Sequence, residues 1–151
     1  MANWNGPQPG PVVLRQMIRA NLPQIPRIGI YNVRNIPGST KPSLHAEGRA
    51  VDIYLSAFVA REKALADQLF AAFIDCAASM GLEEVIWNRQ IWSRTRRVVH
   101  PYTGVKPHID HVHVGFTRPG SQQTSLGSLP SRLAQIRTEL QDALKANANI
   151  A

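Results

Sequence analysis

The sequence has one cysteine, few acidic residues and no long apolar run. Cys76 alone cannot form an intramolecular disulfide or a zinc site built from several cysteines. No stretch approaches the ~20 apolar residues that a membrane-spanning helix requires. The N-terminus lacks the basic start and apolar segment of a signal peptide. We therefore expect a soluble chain, made in the cytoplasm and without an export signal of its own.

The scarcity of acids leaves the chain strongly basic. Lysine and arginine total 17 against 10 acidic residues, which gives a formal net charge of +7. Such a surplus indicates a polyanionic partner, namely nucleic acid, an acidic membrane face or an anionic cell-wall polymer, and charge alone does not choose among them. Because the chain has no zinc-finger, helix-turn-helix or RNA-binding signature, we do not expect it to bind nucleic acid. Part of the surplus lies in an acid-free stretch that contains Arg89, Arg94, Arg96, Arg97 and Lys106.

The length of 151 residues is typical of one domain. Periodicity predicts helices over 12–21, over 60–80 and from Pro130 onward, and strands over 27–34, 50–55, 84–88, 90–95 and 112–116. Helices and strands segregated in this way predict an α+β fold, with a small antiparallel sheet and helices packed on one side. We expect a flexible N-terminal arm at 1–11, the main domain at 12–117, a Gly/Ser/Gln linker at 118–129 and a C-terminal helix at 130–151.

Four of the five histidines fall between positions 100 and 113. His111 and His113 lie two apart on a predicted strand, so their side chains project to the same face. Asp52 lies in an apolar strand, where an unpaired carboxylate would be costly to bury and a cation would offset that cost. Together with His45 from an upstream loop, these residues predict a metal site. Three protein ligands and an open position are the catalytic zinc arrangement, and imidazole with carboxylate suits zinc better than calcium or magnesium.

Two segments carry a family resemblance. Ser-x-His-x-x-Gly-x-Ala-x-Asp at residues 43–52, followed by His-x-His at 111–113, resembles the signature of the M15-type, or LAS-type, zinc peptidases. That group includes D-Ala-D-Ala carboxypeptidases and dipeptidases, murein endopeptidases, phage endolysin peptidases and the hedgehog signalling fold. Asp-His-x-His also resembles extensin-like C-terminal domains. The resemblance covers about residues 27–117 and implies a hedgehog/DD-peptidase-like zinc domain.

The resemblance also implies the metal ligands and the catalytic groups. In this family the residues matching His45, Asp52 and His113 bind Zn²⁺. His111 then corresponds to a non-ligand histidine near the bound water, which makes it a candidate general base.

Three further residues are candidates for the chemistry. Asp110 matches the place of a family glutamate and is the rival general base, and His108 is a secondary participant. Arg34 matches a family arginine that holds the substrate carbonyl or the developing oxyanion. Ser43 is expected to fix the loop by hydrogen bonding.

The function expected from the resemblance is that of a zinc-dependent peptidase, either endopeptidase or carboxypeptidase. It would hydrolyse an amide bond involving a D-amino acid in the stem peptides or cross-bridges of bacterial peptidoglycan. Without a visible signal peptide, it would reach the wall through holin pores, as an endolysin does, or through a secretion system. A non-catalytic zinc-containing module that binds cell wall or protein is one alternative. A cytosolic D-Ala-D-Ala dipeptidase is the other.

Overall fold

A six-stranded antiparallel sheet forms the centre of the molecule, with the strand order β1-β2-β6-β3-β4-β5. The computed structural model describes residues 2–150. Within them the elements are α1 (Pro9–Asn21), β1 (Ile28–Gly29), β2 (Ala50–Ile53), α2 (Ala60–Asp75), α3 (Ala77–Met80), β3 (Leu82–Trp87), β4 (Gln90–Ser93), β5 (Val99–Pro101), β6 (Val112–Phe116), α4 (Arg118–Ser121) and α5 (Leu129–Ile150). The predicted α+β class with an antiparallel sheet is confirmed. None of the helices described is both long and apolar enough to span a membrane.

The two faces of the sheet carry different chemistry. In the central strands, Val51 on β2 and Val85 on β3 both pair with Val114 on β6. These valines are fully buried against the helices, in a core that α1, α2 and α5 also supply. Because side chains alternate along a strand, the intervening residues Asp52 and His113 project from the opposite face. The helices therefore cover one face of the centre of the sheet, and the other face presents polar groups.

The structure corrects two helix boundaries and two strands. Helix α1 begins at Pro9 rather than at residue 12, and the helix predicted over 60–80 divides into α2 and α3 at Cys76. The strand predicted over 27–34 is reduced to Ile28–Gly29. The hairpin predicted around residues 88–89 forms between β3 and β4, and β5 is a strand that the sequence analysis missed.

The segments predicted as an arm and a linker pack against the domain. Gln8 is buried, and its side-chain amide donates hydrogen bonds to backbone carbonyls of residues 3 and 6. Its backbone N–H donates to the carbonyl of Gly48 at 3.0 Å. In the predicted linker, Leu126 is 1% exposed and belongs to the core, as do Leu133 and Ile136 from α5. The predicted boundaries at residues 11 and 117 therefore do not delimit the core.

Gly48 occupies a backbone position that no other residue fits. Its φ is +68°, and a Cβ added there would lie 1.8 Å from the carbonyl oxygen of Gly6. We expect Gly48→Ala to lower the free energy of unfolding by more than ~2 kcal/mol, measured by urea denaturation, because the left-handed conformation and the backbone clash both oppose the methyl group.

Gly38→Ala is the matched control for that substitution. Gly38 has a φ of +77° with nothing within 4 Å of an added Cβ, so only the conformational cost of about 1 kcal/mol applies. Equal losses in the two variants would contradict the role of the close approach to Gly6.

Candidate metal centre

Three buried side chains meet on the face of the sheet that the helices leave uncovered. Asp52 on β2 and His113 on β6 are direct partners in the strand register, which places their side chains next to each other. His45 comes from the loop that precedes β2. The Ala46 N–H donates to the Ser43 hydroxyl at 3.2 Å, and the Gly48 N–H donates to the His45 carbonyl at 3.0 Å. Ser43 thus fixes the loop that delivers His45, as the sequence predicted.

The geometry of this triad fits a tetrahedral metal ion. His45 Nε2 lies 3.0 Å from Asp52 Oδ1, His113 Nδ1 lies 3.1 Å from the same oxygen, and the two nitrogens are 3.3 Å apart. A tetrahedral zinc ion with bonds of about 2.0–2.1 Å would hold its ligand atoms about 3.3 Å apart. His45, Asp52 and His113 could therefore bind a metal ion with little movement.

In both imidazoles of the triad, the ring nitrogen that faces away from the centre donates a hydrogen bond to an acceptor of the protein. His45 Nδ1 donates to the carbonyl of Ile30 at 2.8 Å, and His113 Nε2 donates to Glu84 Oε1 at 3.0 Å. Because a carbonyl and a carboxylate only accept, they fix the protons on those nitrogens. His45 Nε2 and His113 Nδ1 are then the nitrogens that point to the centre of the triad. Outer contacts of this kind orient metal ligands and raise their basicity.

The same contacts set the charges of the metal-free triad. Burial opposes ionisation of Asp52, but hydrogen bonds from His113 and His45 outweigh it and hold the pKa of Asp52 well below its usual range. Burial likewise opposes a charge on His113, yet hydrogen bonds to Asp52 and Glu84 raise the pKa of His113 to about 9. A metal ion that binds Nδ1 must displace the proton that His113 carries there.

Glu84 is the residue of this centre that sequence reasoning missed. It pairs with Gly115 across β3 and β6, two residues along β6 from His113. Burial raises its pKa, but the hydrogen bond from His113 dominates and the pKa of Glu84 is lowered. Period-2 alternation puts Glu84 on the same face as Ile86, the residue that pairs with His113. The alternation along β3 could have been recognised in the sequence. It places Glu84 near His113 only once β3 is known to pair with β6.

We expect Glu84→Gln to weaken zinc binding by about 10–100-fold, as loss of an outer-shell carboxylate typically does. The amide still reaches His113 Nε2 but lacks the charge that makes the imidazole a better ligand. Competition with a chromogenic chelator measures the affinity. Glu83→Gln is the control, because Glu83 faces Arg94 at 3.7 Å and not the triad. An unchanged zinc affinity in Glu84→Gln would contradict the assignment.

His111 stands beside the triad with an aspartate behind it. Its Nδ1 donates to Asp110 Oδ1 at 2.7 Å, and its Nε2 lies 3.6 Å from Asp52 Oδ1. The His111 side chain is 13% exposed, whereas that of Asp110 is 74% exposed. His111 lies immediately before β6 rather than on the strand as predicted, yet its Nε2 and His113 Nδ1 both approach Asp52 Oδ1. Asp110 contacts the imidazole rather than the centre of the triad.

His108 completes a row of three imidazoles. Its ring centroid lies 4.7 Å from that of His111 and 5.7 Å from that of His113. His108 Nδ1 donates to the carbonyl of Lys106 at 2.8 Å, and the backbone has a φ of +53°. Burial, together with the neighbouring His113 and His111, lowers the pKa of His108 to about 4. The ring is therefore neutral at physiological pH.

Arg34 lies in a loop beyond β1 rather than at a strand end, because the predicted strand is shorter. It lines the same cleft as the triad and is half-buried. Its Nε is buried and has no hydrogen-bond partner among the residues described. Burying an N–H donor without an acceptor is costly, so this side chain, which lines the cleft, carries an unused hydrogen-bond donor.

The acid-free stretch divides between the two ends of strand β4. Arg89 lies in the turn between β3 and β4, and its N–H donates to the carbonyl of Pro107, close to Lys106. The other three arginines, Arg94, Arg96 and Arg97, lie at the opposite end of β4. Only Lys106 of the five lines the cleft of the triad.

The triad opens into a single large cleft. Its volume is ≈ 1180 Å³, and its walls include the catalytic candidates Arg34, His108, Asp110 and His111. The structure thus brings every site residue predicted from the sequence into one cavity. A pocket with convergent polar groups and perturbed pKa values is the expected form of a ligand-binding or active site.

Comparisons with known proteins identify the family. The family model described as VldE, C-terminal domain, matches residues 3–113, a span that contains His45 and Asp52 and ends on His113. No curated protein and no solved structure matches the chain. Because the family model covers well over half of the chain, this protein belongs to the VldE C-terminal domain family.

Proposed function

We propose that this protein is a zinc-dependent peptidase that hydrolyses an amide bond involving a D-amino acid in bacterial peptidoglycan. One observation carries the enzymatic part of the proposal. A buried His/Asp/His triad with tetrahedral spacing opens into a cleft where a non-ligand histidine, His111, presents a free Nε2 beside it. The peptidoglycan part rests on the resemblance of residues 43–52 and 111–113 to the M15-type signature.

The donor set favours zinc as the metal. Two imidazoles and one carboxylate are ligands that zinc accepts in catalytic sites, with a fourth position left for water or substrate. A bound zinc ion would supply Lewis acidity, which polarises an amide carbonyl and makes a water molecule easier to deprotonate.

His111 is the group best placed to move the proton. Asp110 holds the proton on Nδ1, so Nε2 keeps a lone pair directed toward the triad. From there it can accept a proton from the attacking water and return it to the leaving amine. Asp110 then acts through His111, by orienting the ring and stabilising its charged form. This division of labour is our resolution of the two general-base candidates.

Arg34 and His108 support the same reaction from other walls of the cleft. The Arg34 guanidinium lines the cleft without an ion-pair partner among the described residues and is suited to an oxygen that gains negative charge during hydrolysis, such as the substrate carbonyl oxygen. His108, neutral and packed against His111, adds a second imidazole to the wall of the cleft. We assign it a supporting role in proton movement.

Features of the cleft weigh against the two alternatives. A module that only binds cell wall would need no Asp110–His111 pair beside the triad, because we assign that pair to proton transfer and none of its atoms belongs to the triad. A dipeptidase would need to enclose a small substrate, whereas this cleft of ≈ 1180 Å³ can hold a longer chain. The first feature favours hydrolysis over binding alone, and the second favours a polymer over a dipeptide.

Digestion of purified peptidoglycan tests the proposal. Zinc-loaded protein is incubated with sacculi of defined cross-linking, and the products are identified by mass spectrometry of muropeptides. We expect new free amines and one class of cleaved amide bond, with loss of both after chelation and recovery on addition of zinc. The absence of new amines from every murein tested would refute the proposed activity.

A further inference from the structure

Each carboxylate that lines the cleft already has a basic side chain of the protein as a partner. All four contact a basic side chain: Asp52 with His45 and His113, Glu84 with His113, Asp110 with His111, and Glu83 with Arg94.

Three cations in the cleft have no such partner in the described part of the chain. Arg27, Arg34 and Lys106 line it, and none forms an ion pair with a carboxylate of residues 2–150. Unpaired cations within a cleft create a positive potential that concentrates anionic ligands. The charge balance therefore indicates a substrate that brings negative charge with it.

Arg27 has the best-defined position of the three. Its guanidinium carbon lies 4.2 Å from the centroid of the Tyr54 ring, and the Tyr54 N–H donates to the Arg27 carbonyl at 3.1 Å. The Tyr54 ring in turn lies 5.5 Å from the ring of His111. A guanidinium stacked on an aromatic face keeps the N–H donors along its edge free, in the fork that matches a carboxylate. Arg27 is thus held on the wall next to the proposed general base.

We propose that Arg27 binds a carboxylate of the substrate next to the scissile amide, so that the site selects an acidic peptide. This inference rests on the proposed function, since the carboxylate belongs to the molecule whose amide is cleaved. Arg27 and Tyr54 form the specificity-determining wall. Arg34 remains available for the carbonyl oxygen.

Two synthetic peptides test the proposal by binding rather than by turnover. The first is acetyl-L-Ala-γ-D-Glu-L-Lys-D-Ala-D-Ala with free carboxylates, and the second is the same peptide with each carboxylate converted to a carboxamide. Titration of the ¹⁵N-labelled protein, followed by NMR with and without zinc, gives both dissociation constants. We expect the free acid to bind about tenfold more tightly, as one charge-assisted hydrogen-bonded pair would provide.

Variants assign that preference to Arg27. Arg27→Gln is expected to reduce the preference to less than twofold, and Arg27→Lys to restore it in part, because lysine keeps the charge without the fork. Arg61→Gln is the matched control, since Arg61 is exposed on α2 and lies outside the cleft. It should retain the full preference. Because Arg27 is itself exposed, its replacement should leave the melting temperature nearly unchanged.

The outcomes separate this inference from the proposed function. No preference for the free acid, no detectable binding of either peptide, or an unchanged preference in Arg27→Gln would overturn the inference, even if sacculi are cleaved. An Arg27-dependent preference without any cleavage of sacculi would support the anionic site and overturn the proposed hydrolysis.

Discussion

Replacement of His111 by alanine is expected to lower the rate of amide cleavage by roughly 10²–10⁴-fold, the usual contribution of a general base. Its Nε2 lies 3.6 Å from Asp52 Oδ1, so it reaches the reaction centre without belonging to the triad. The zinc content should therefore stay at one ion per chain. Measurement of kcat on soluble muropeptides, with metal analysis of the same samples, checks both statements.

Two further variants sharpen the His111 experiment. His100→Ala removes a histidine on β5 that is not among the residues lining the cleft, and it should leave kcat unchanged. Asp110→Asn keeps the shape of the residue behind His111 but removes the charge that stabilises the imidazolium, so its loss should be clearly smaller than that of His111→Ala. If His111→Ala cleaves at the wild-type rate, or if Asp110→Asn is the more damaging change, our assignment of the base is wrong.

Local sequence patterns predicted those parts of the site that do not depend on how the strands pair. The spacing of His111 and His113 predicts a shared side because side chains alternate along extended backbone, and both imidazoles do approach Asp52 although β6 begins only at Val112. An isolated carboxylate in the apolar strand around Asp52 signals a specific partner because burial without one is costly. Neither argument requires knowledge of the sheet order.

The positions of Glu84 and Arg27 in the site depend on strand pairing, which local sequence patterns do not predict. Glu84 contacts His113 only because β3 lies beside β6, and this register is set by packing over 29 residues of separation. Arg27 joins the cleft through Tyr54, which follows β2. Each of these side chains, taken alone, resembles an ordinary solvent-exposed charge.

The shortening of the predicted strand at 27–34 has a structural cause. Beyond Gly29 the backbone forms hydrogen bonds with His45, in the loop before β2, instead of with a neighbouring strand. The carbonyl of Ile30 accepts from His45 Nδ1, and the Asn32 N–H donates to the His45 carbonyl at 3.3 Å. Alternating hydrophobicity predicts extended backbone well, but it does not reveal which groups satisfy the hydrogen bonds of that backbone.

The predicted arm and the predicted linker show that amino-acid composition does not reveal packing either. A Gly/Pro-rich start predicts the absence of regular structure, yet Gln8 bonds both to its own turn and to Gly48 near the triad. The Gly/Ser/Gln segment likewise contains Leu126, which the core buries. Composition indicates irregular backbone in both places. Whether that backbone packs depends on single side chains.

Replacement of Asp52 by asparagine is expected to lower zinc affinity by at least ~100-fold, more than loss of an outer-shell group does. Asp52 Oδ1 is the atom that both His45 Nε2 and His113 Nδ1 approach, at 3.0 and 3.1 Å. An asparagine at this position has no negative charge to offset that of the ion. Competition with a chelator of known affinity gives the dissociation constants of both proteins.

Thermal unfolding gives an independent measure of the same loss. Zinc at 100 times its dissociation constant should stabilise the folded wild-type protein by about 2.7 kcal/mol. For a chain of this size, that corresponds to a rise of roughly 5–10 °C in melting temperature. Asp52→Asn should show almost no rise at the same zinc concentration. Asp110→Asn should show the full rise, because Asp110 contacts His111 and none of the three ligands. Equal rises in the two variants would remove Asp52 from the ligand set.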